Sequence, residues 1–80
     1  RLQNDLEEIQ GRVFAGDQPV RMRLVGNRIT LSTLDGEQFG RYQYERIEFS
    51  ESERLIPRSG VITSKQLDIE LDGETESVQW

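Results

Sequence analysis

The 80 residues of this chain include no cysteine and no histidine, and their formal net charge is −5 at pH 7. The chain therefore lacks the usual general base, the usual thiol nucleophile and any disulfide. The negative charge works against a general nucleic-acid-binding surface, and no stretch approaches the roughly 20 apolar residues of a membrane span. The length predicts one domain, residues 1–80, with a small core.

The first segment has helical periodicity. Four apolar residues, spaced four, three and four apart, lie on one helical face: Leu2, Leu6, Ile9 and Val13. We predict a helix over about 1–15 with Gly16 near its C-cap, or a stop at Gly11, which costs about 1 kcal/mol relative to Ala. No capping residue precedes Leu2, so we expect the helix to be the end of a longer one in a longer protein.

Antiparallel strands are expected over about 20–80, and the first two form the clearest hairpin. The alternating segments 20–25 and 28–32 flank a two-residue turn with glycine in its first position. Closing this turn pairs Leu24 with Ile29 and Met22 with Leu31. These apolar side chains then share one face, which we expect the helix to cover.

The next turn, at Asp35 and Gly36, leaves two registers for the third strand. A two-residue loop would put Phe39 opposite Ser32 on the polar face. A four-residue loop puts Tyr42 opposite Leu31 and extends the apolar face. We predict the four-residue loop for that reason.

The second half of the chain continues the sheet with interruptions. Ile47 and Phe49 alternate with a different parity from the tyrosine strand, which predicts a bulge or break near residues 45–46. Residues 50–54 read as a polar loop. Pro57 limits the segment after it to an edge or a connection.

A second Asp-Gly turn, at residues 72–73, joins the last two strands. With a four-residue loop, Ile69 would pair with Val78 and Leu67 with Trp80. The repeated turn sequence is better explained by shared turn chemistry than by a duplicated unit.

Four arginines on the polar face of the first three strands are the candidate interaction residues: Arg21, Arg23, Arg28 and Arg41. The simpler interpretation is a solvated face, with Glu45 beside Arg28 as a cross-strand pair. The functional one is contact with an acidic partner or with DNA phosphate. An acidic strip at the far end, Asp68 and Glu70, would allow subunits to pack side by side.

Nothing in the sequence predicts a catalytic residue, a cofactor or a small-molecule substrate. Ser64 and Lys65 are neighbours on an extended segment, so their side chains point to opposite faces. The acidic run from Asp68 resembles the opening of a calcium loop, but its twelfth position is Gln79 instead of glutamate. We therefore predict a solvated strand face and no metal site.

A helix followed directly by an antiparallel meander resembles type IV pilin-like proteins, most of all the minor pseudopilins of competence pili and type II secretion systems. Segments 26–31, 35–39 and 42–47 are similar to the competence members in their order of strands and turns. The resemblance implies an α+β fold, with a truncated N-terminal α-helix packed on a small antiparallel β-meander sheet. The family's cleavage site and hydrophobic half-helix would then lie upstream of Arg1.

The resemblance also implies a function: a non-enzymatic structural subunit of a type IV pilus-like filament, for DNA uptake or protein secretion. Its partners would be other pilin or pseudopilin subunits and the membrane, through the missing N-terminal segment, with DNA contact as a further option. It would lie on the extracytoplasmic side of the cell envelope, membrane-anchored.

Two alternatives remain open. One is a small β-barrel or pleckstrin-homology-like interaction module after a coiled coil, in which the helix projects away from the sheet and self-associates. The other is a nucleic-acid-binding domain that uses the four arginines.

Overall fold

A computed structural model of the chain describes residues 2–80 and contains one helix and a six-stranded antiparallel sheet, which confirms the predicted α+β class. The elements are α1 Leu2–Gly16, β1 Val20–Gly26, β2 Arg28–Ser32, β3 Gln38–Gln43, β4 Ile47–Ile56, β5 Gln66–Leu71 and β6 Glu74–Gln79. The helix runs through Gly11 and ends at Gly16, where Asp17 turns left-handed with φ 53°. The predicted start at Arg1 lies outside the described residues.

The strand order β3-β2-β1-β4-β5-β6 places the two halves of the chain on the two sides of the sheet. β1 is the link, because it pairs with its hairpin partner β2 on one side and with the distant β4 on the other. The sheet is open, with β3 and β6 as its edges.

One face of the sheet, called the covered face below, packs against α1. Leu6, Ile9 and Val13 are buried in the same core as the apolar residues of that face, and Leu2 is partly buried against it. The sheet contributes these buried residues: Val20, Met22, Leu24, Ile29, Leu31, Tyr44, Phe49, Ile56, Ile69 and Trp80. Their removal from water is the main favourable term in folding.

The β1–β2 hairpin has the predicted register. Leu24 pairs with Ile29 and Met22 with Leu31. Gly26 has φ 59°, whereas Asn27 does not have a positive φ. A positive φ at the first turn position alone is the reason that this position requires glycine.

The predicted register of β3 is wrong by two residues, since Tyr42 lies opposite Ile29 and not Leu31. The loop is shorter than predicted: Thr33 N donates to Glu37 O at 2.9 Å and Gly36 N to Thr33 O at 3.0 Å, so three residues, 34–36, lie between the hydrogen-bonded residues Thr33 and Glu37. Gly36, at φ 95°, supplies the left-handed position of such a loop. Because the shift is two residues, the side chains of β3 keep their predicted faces.

The register of the last hairpin is also wrong by two residues. Leu67 pairs with Val78, and Ile69 with Glu76. The loop has two residues, and both are left-handed: Asp72 at φ 52° and Gly73 at φ 85°. This is the geometry that an Asp-Gly pair favours in a hairpin, and it decided the register although a longer loop would have paired more apolar side chains.

The polar loop predicted at 50–54 is wrong, because these residues belong to β4. They form a strand through pairing with β1, from Leu24 opposite Ser52 to Val20 opposite Ile56. The predicted break near 45–46 is confirmed, since β3 ends at residue 43 and β4 begins at residue 47. A shift of register after Leu24 keeps Phe49 on the covered face together with Ile56.

Candidate interaction face

The candidate site is the face of the sheet opposite α1, called the open face below. Its side chains alternate along each strand with those of the buried core. One row crosses four strands, since Arg41 lies opposite Thr30, Thr30 opposite Arg23 and Arg23 opposite Glu53. All four arginines predicted from the sequence therefore lie on one surface.

Charge divides this sheet into two halves. The basic half, β1 to β3, contains four arginines and no carboxylate. The acidic half, β4 to β6, contains seven carboxylates and a single arginine. At least four of these seven lie on the open face, on strands β4 and β5: Glu48, Glu53, Asp68 and Glu70.

The halves meet between β1 and β4, where Glu53 lies beside two arginines. Its carboxylate oxygens are 3.2 Å from Arg21 Nε and 3.8 Å from Arg23 Nε. Arg21 Nε is buried. It is close enough to Glu53 for an ion pair, but within residues 2–80 it makes no hydrogen bond. These side chains are one-third to one-half exposed, so each pair contributes about 1 kcal/mol or less.

The other two arginines have different neighbours from those predicted. Arg28 lies opposite Gln43, because of the shifted register, so the predicted cross-strand pair with Glu45 is wrong. Arg41 Nη2 donates to Gln43 Oε1 at 3.2 Å. In the described part of the chain neither guanidinium has a carboxylate within ion-pair distance.

Like charges face each other in the acidic half. Glu48 lies directly opposite Glu70, on neighbouring strands and on the same face. Such a pair destabilises a sheet by a few tenths of a kcal/mol. Asp68, two residues away on β5, accepts hydrogen bonds from Gln66 Nε2 at 3.0 Å and Ser77 Oγ at 3.2 Å.

Contacts on the covered face hold the basic half in place. Arg12 of α1 donates from Nη2 to Phe39 O at 2.8 Å and from Nη1 to Tyr42 OH at 3.1 Å, which joins the helix to edge strand β3. Tyr44 OH donates to Asp5 Oδ2 at 2.8 Å. The Tyr44 ring packs edge-on against the Phe49 ring, with 5.7 Å between the ring centres. The helix is therefore tied to the sheet by polar contacts at both of its ends.

A cleft of about 250 Å³ separates β4 from β5 beyond the three residue pairs that join them. Arg54 lies beside this cleft on the covered face, where Nη1 donates to Trp80 O at 2.6 Å and the guanidinium lies 5.2 Å from the Trp80 ring centre. Partial burial lowers the pKa of Arg54, because desolvation disfavours its charged form.

Two residues of the acidic half, Glu48 and Glu53, are absent from the sequence-based site. Residues 50–54 were predicted as a loop, which left the face of Glu53 unassigned. Glu48 could have been included, because it lies between Ile47 and Phe49 in a predicted strand and therefore points to the face opposite theirs.

Among residues 2–80 no three carboxylates gather closely enough to hold a metal ion. In the same part of the chain, no helix has the length and apolar character needed to cross a bilayer.

Comparisons with protein families, with curated proteins and with solved structures found no match to this chain.

Proposed function

We propose that this chain is the globular domain of a non-enzymatic structural subunit, of the minor pseudopilin kind, in a type IV pilus-like filament that serves DNA uptake or protein secretion. The observation that carries the proposal is the position of α1, whose apolar stripe lies entirely on the sheet. Helix and sheet therefore form one rigid unit. A subunit of this kind transmits its position to its neighbours through the helix and through the remaining surface of the sheet.

The outer side of α1 supports the same proposal. Its exposed residues include Glu7, Glu8 and Phe14, and 70% of the Phe14 surface is open to water. A helix that is buried on one side and open on the other can take part in two packings at once, one within its own domain and one with neighbouring subunits. We propose membrane anchoring and the extracytoplasmic location together with this assembly.

The two alternatives are less well supported. A module after a coiled coil was expected to have its helix projecting from the sheet, whereas Leu6, Ile9 and Val13 are buried on it. Nucleic-acid binding would need a continuous basic surface. Here Glu53 lies within ion-pair distance of two of the four arginines, and the acidic half adjoins them.

The coding sequence upstream of Arg1 gives the most direct test. We expect a leader that ends in glycine, followed by about 20 apolar residues with an early glutamate. An ordinary start codon a few residues upstream would refute the proposal.

A second test uses the absence of cysteine from these 80 residues. The full-length protein with Glu7→Cys as its single cysteine, on the exposed side of α1, should form thiol-specific cross-links to other pilin-like subunits in cell-envelope fractions. Thr63→Cys, in the connection between β4 and β5, is the matched control for accessibility. Cross-links at position 63 but none at position 7 would contradict helix packing in a filament.

The nucleic-acid alternative has its own measurement. We expect no salt-dependent DNA binding by the wild-type chain in a fluorescence-anisotropy titration at low salt. Binding that Arg21→Ala/Arg23→Ala abolishes would favour that alternative instead.

A further inference from the structure

We propose that the open face binds the open face of a second copy of this chain, about a two-fold axis that runs parallel to the strands above the border between β1 and β4. The proposal deepens the proposed function by naming a partner for this surface. It is measured on the isolated chain, so the dimer and the filament can fail independently.

Charge balance is the first argument. The open face holds four arginines on one side of the border and at least four carboxylates on the other. The stated two-fold rotation exchanges the two halves, so each basic half lies over the acidic half of the other copy. A face whose opposite charges are divided in this way is complementary to itself.

The register of the strands gives the second argument. Arg28 on β2 lies opposite Val25, which is one residue before Gly26 on β1. On the other side of the border Gly26 lies opposite Phe49, and Phe49 lies opposite Ile69. Asp68 is one residue before Ile69 on β5, so it lies at the same height along the strands as Arg28. β2 and β5 are also equally far from the border, each separated from it by one strand. The rotation therefore places Arg28 of each copy over Asp68 of the other.

The third argument is that the isolated face leaves charges without counterions. Within residues 2–80, Arg28 and Arg41 have no carboxylate at ion-pair distance. Glu48 and Glu70 face each other as like charges. A second copy brings opposite charge to each half, which removes the repulsion and supplies the counterions.

The size of the face suits a dimer. The molecule extends 37 by 22 Å along its two longer axes, so a face of the sheet has room for an interface toward the lower end of the usual size range. Because the two-fold contact is closed, assembly by this face ends at two copies.

Charge exchange at one predicted contact tests the proposal. Sedimentation equilibrium in about 20 mM salt should show a wild-type dimer that dissociates at about 0.5 M salt, where screening is strong. Arg28→Glu and Asp68→Arg should each weaken the dimer by about tenfold or more, because each creates two like-charge contacts. The double variant Arg28→Glu/Asp68→Arg should restore it, and so should an equal mixture of the two single variants.

Glu7→Arg is the matched control, because it changes the net charge as Asp68→Arg does but lies on the exposed side of α1. It should leave the dimer unchanged, and circular dichroism should show that every variant is folded. A wild-type chain that stays monomeric at about 1 mM in low salt would overturn the proposal. So would a double variant that remains monomeric, or assembly that continues beyond two copies.

Discussion

The basic and acidic halves of the sheet differ in burial as well as in charge. In the basic half Met22, Ile29 and Leu31 have no exposed surface, because α1 lies over them. In the acidic half Ile56, on the strand next to β1, is almost equally buried, but Leu67 and Val78 in the outer hairpin are only partly buried. The core thus becomes thinner toward the outer hairpin of β5 and β6.

The difference shows that one continuous sheet need not be one unit of stability. β5 and β6 are joined to each other along their whole length, but only three residue pairs join β5 to β4. The hairpin of β5 and β6 should therefore open at a lower free energy than the strands beneath α1. The substitutions below test this comparison, from the largest expected effect to the smallest.

The largest effect is expected from truncation of the helix stripe. Leu6→Ala should lower the free energy of unfolding by about 2–5 kcal/mol, because it leaves a cavity at a fully buried site. Leu67→Ala in the acidic half should cost about 1 kcal/mol, since its side chain is already partly hydrated. Urea unfolding followed by circular dichroism measures both. Equal losses would mean that the core is packed as tightly at Leu67 as beneath α1.

Gly60 should give the next largest effect. It lies in the connection between β4 and β5 with φ 75°, and an added Cβ would be 2.6 Å from Phe14 Cα in α1. Gly60→Ala should therefore cost about 3 kcal/mol, since backbone strain adds to a clash with main chain. The loss should appear as a lower Tm.

Gly36→Ala is the control for that substitution. Gly36 has φ 95° but open space around its Cβ position, so only the backbone term of about 1 kcal/mol remains. A Tm as low as that of Gly60→Ala would show that contact with α1 contributes nothing to the requirement for glycine at residue 60.

The accuracy of the sequence-based predictions varied along the chain. The stripe of α1 and the β1–β2 hairpin were predictable because local periodicity and turn chemistry agree there. At both Asp-Gly turns these two signals disagreed. Pairing of apolar residues favoured long loops, whereas turn chemistry favours the short loops that the structure has. Tyr42 and Leu67 each moved by two residues, so the faces were predicted correctly and the partners were not.

The acidic half of the site was harder to predict for a different reason. Residues 50–54 contain no apolar side chain, so no local pattern marks the inner face of this strand. Their strand conformation comes from pairing with β1, about 30 residues earlier in the chain, which a local pattern does not encode. Arg21, Arg23 and Arg28 were found because β1 and β2 carry their own alternation, and Arg41 because a register error of two residues leaves its face unchanged.

A smaller effect separates two tyrosines on the covered face. Tyr44→Phe should cost about 1–2 kcal/mol, because it removes a hydroxyl that donates to Asp5 Oδ2 from a buried ring. Tyr42→Phe should cost about 0.5 kcal/mol or less, since Arg12 and the hydroxyl of Tyr42 meet in an exposed setting. Thermal unfolding at one buffer composition compares the two. Equal costs would mean that burial does not strengthen the Asp5 contact.

The smallest predicted effect has the opposite sign. Gly11 lies inside α1, is exposed, and has no atom within 4 Å of an added Cβ. Gly11→Ala should therefore stabilise the protein by about 1 kcal/mol, through reduced freedom of the unfolded chain and better helix propensity. Urea unfolding measures the gain, and hydrogen exchange should show slower opening of α1 together with β1 and β2. If hydrogen exchange in β5 and β6 slows by the same factor, the two halves open as one unit and the comparison between them fails. If it does not, α1 stabilises only the strands that it covers.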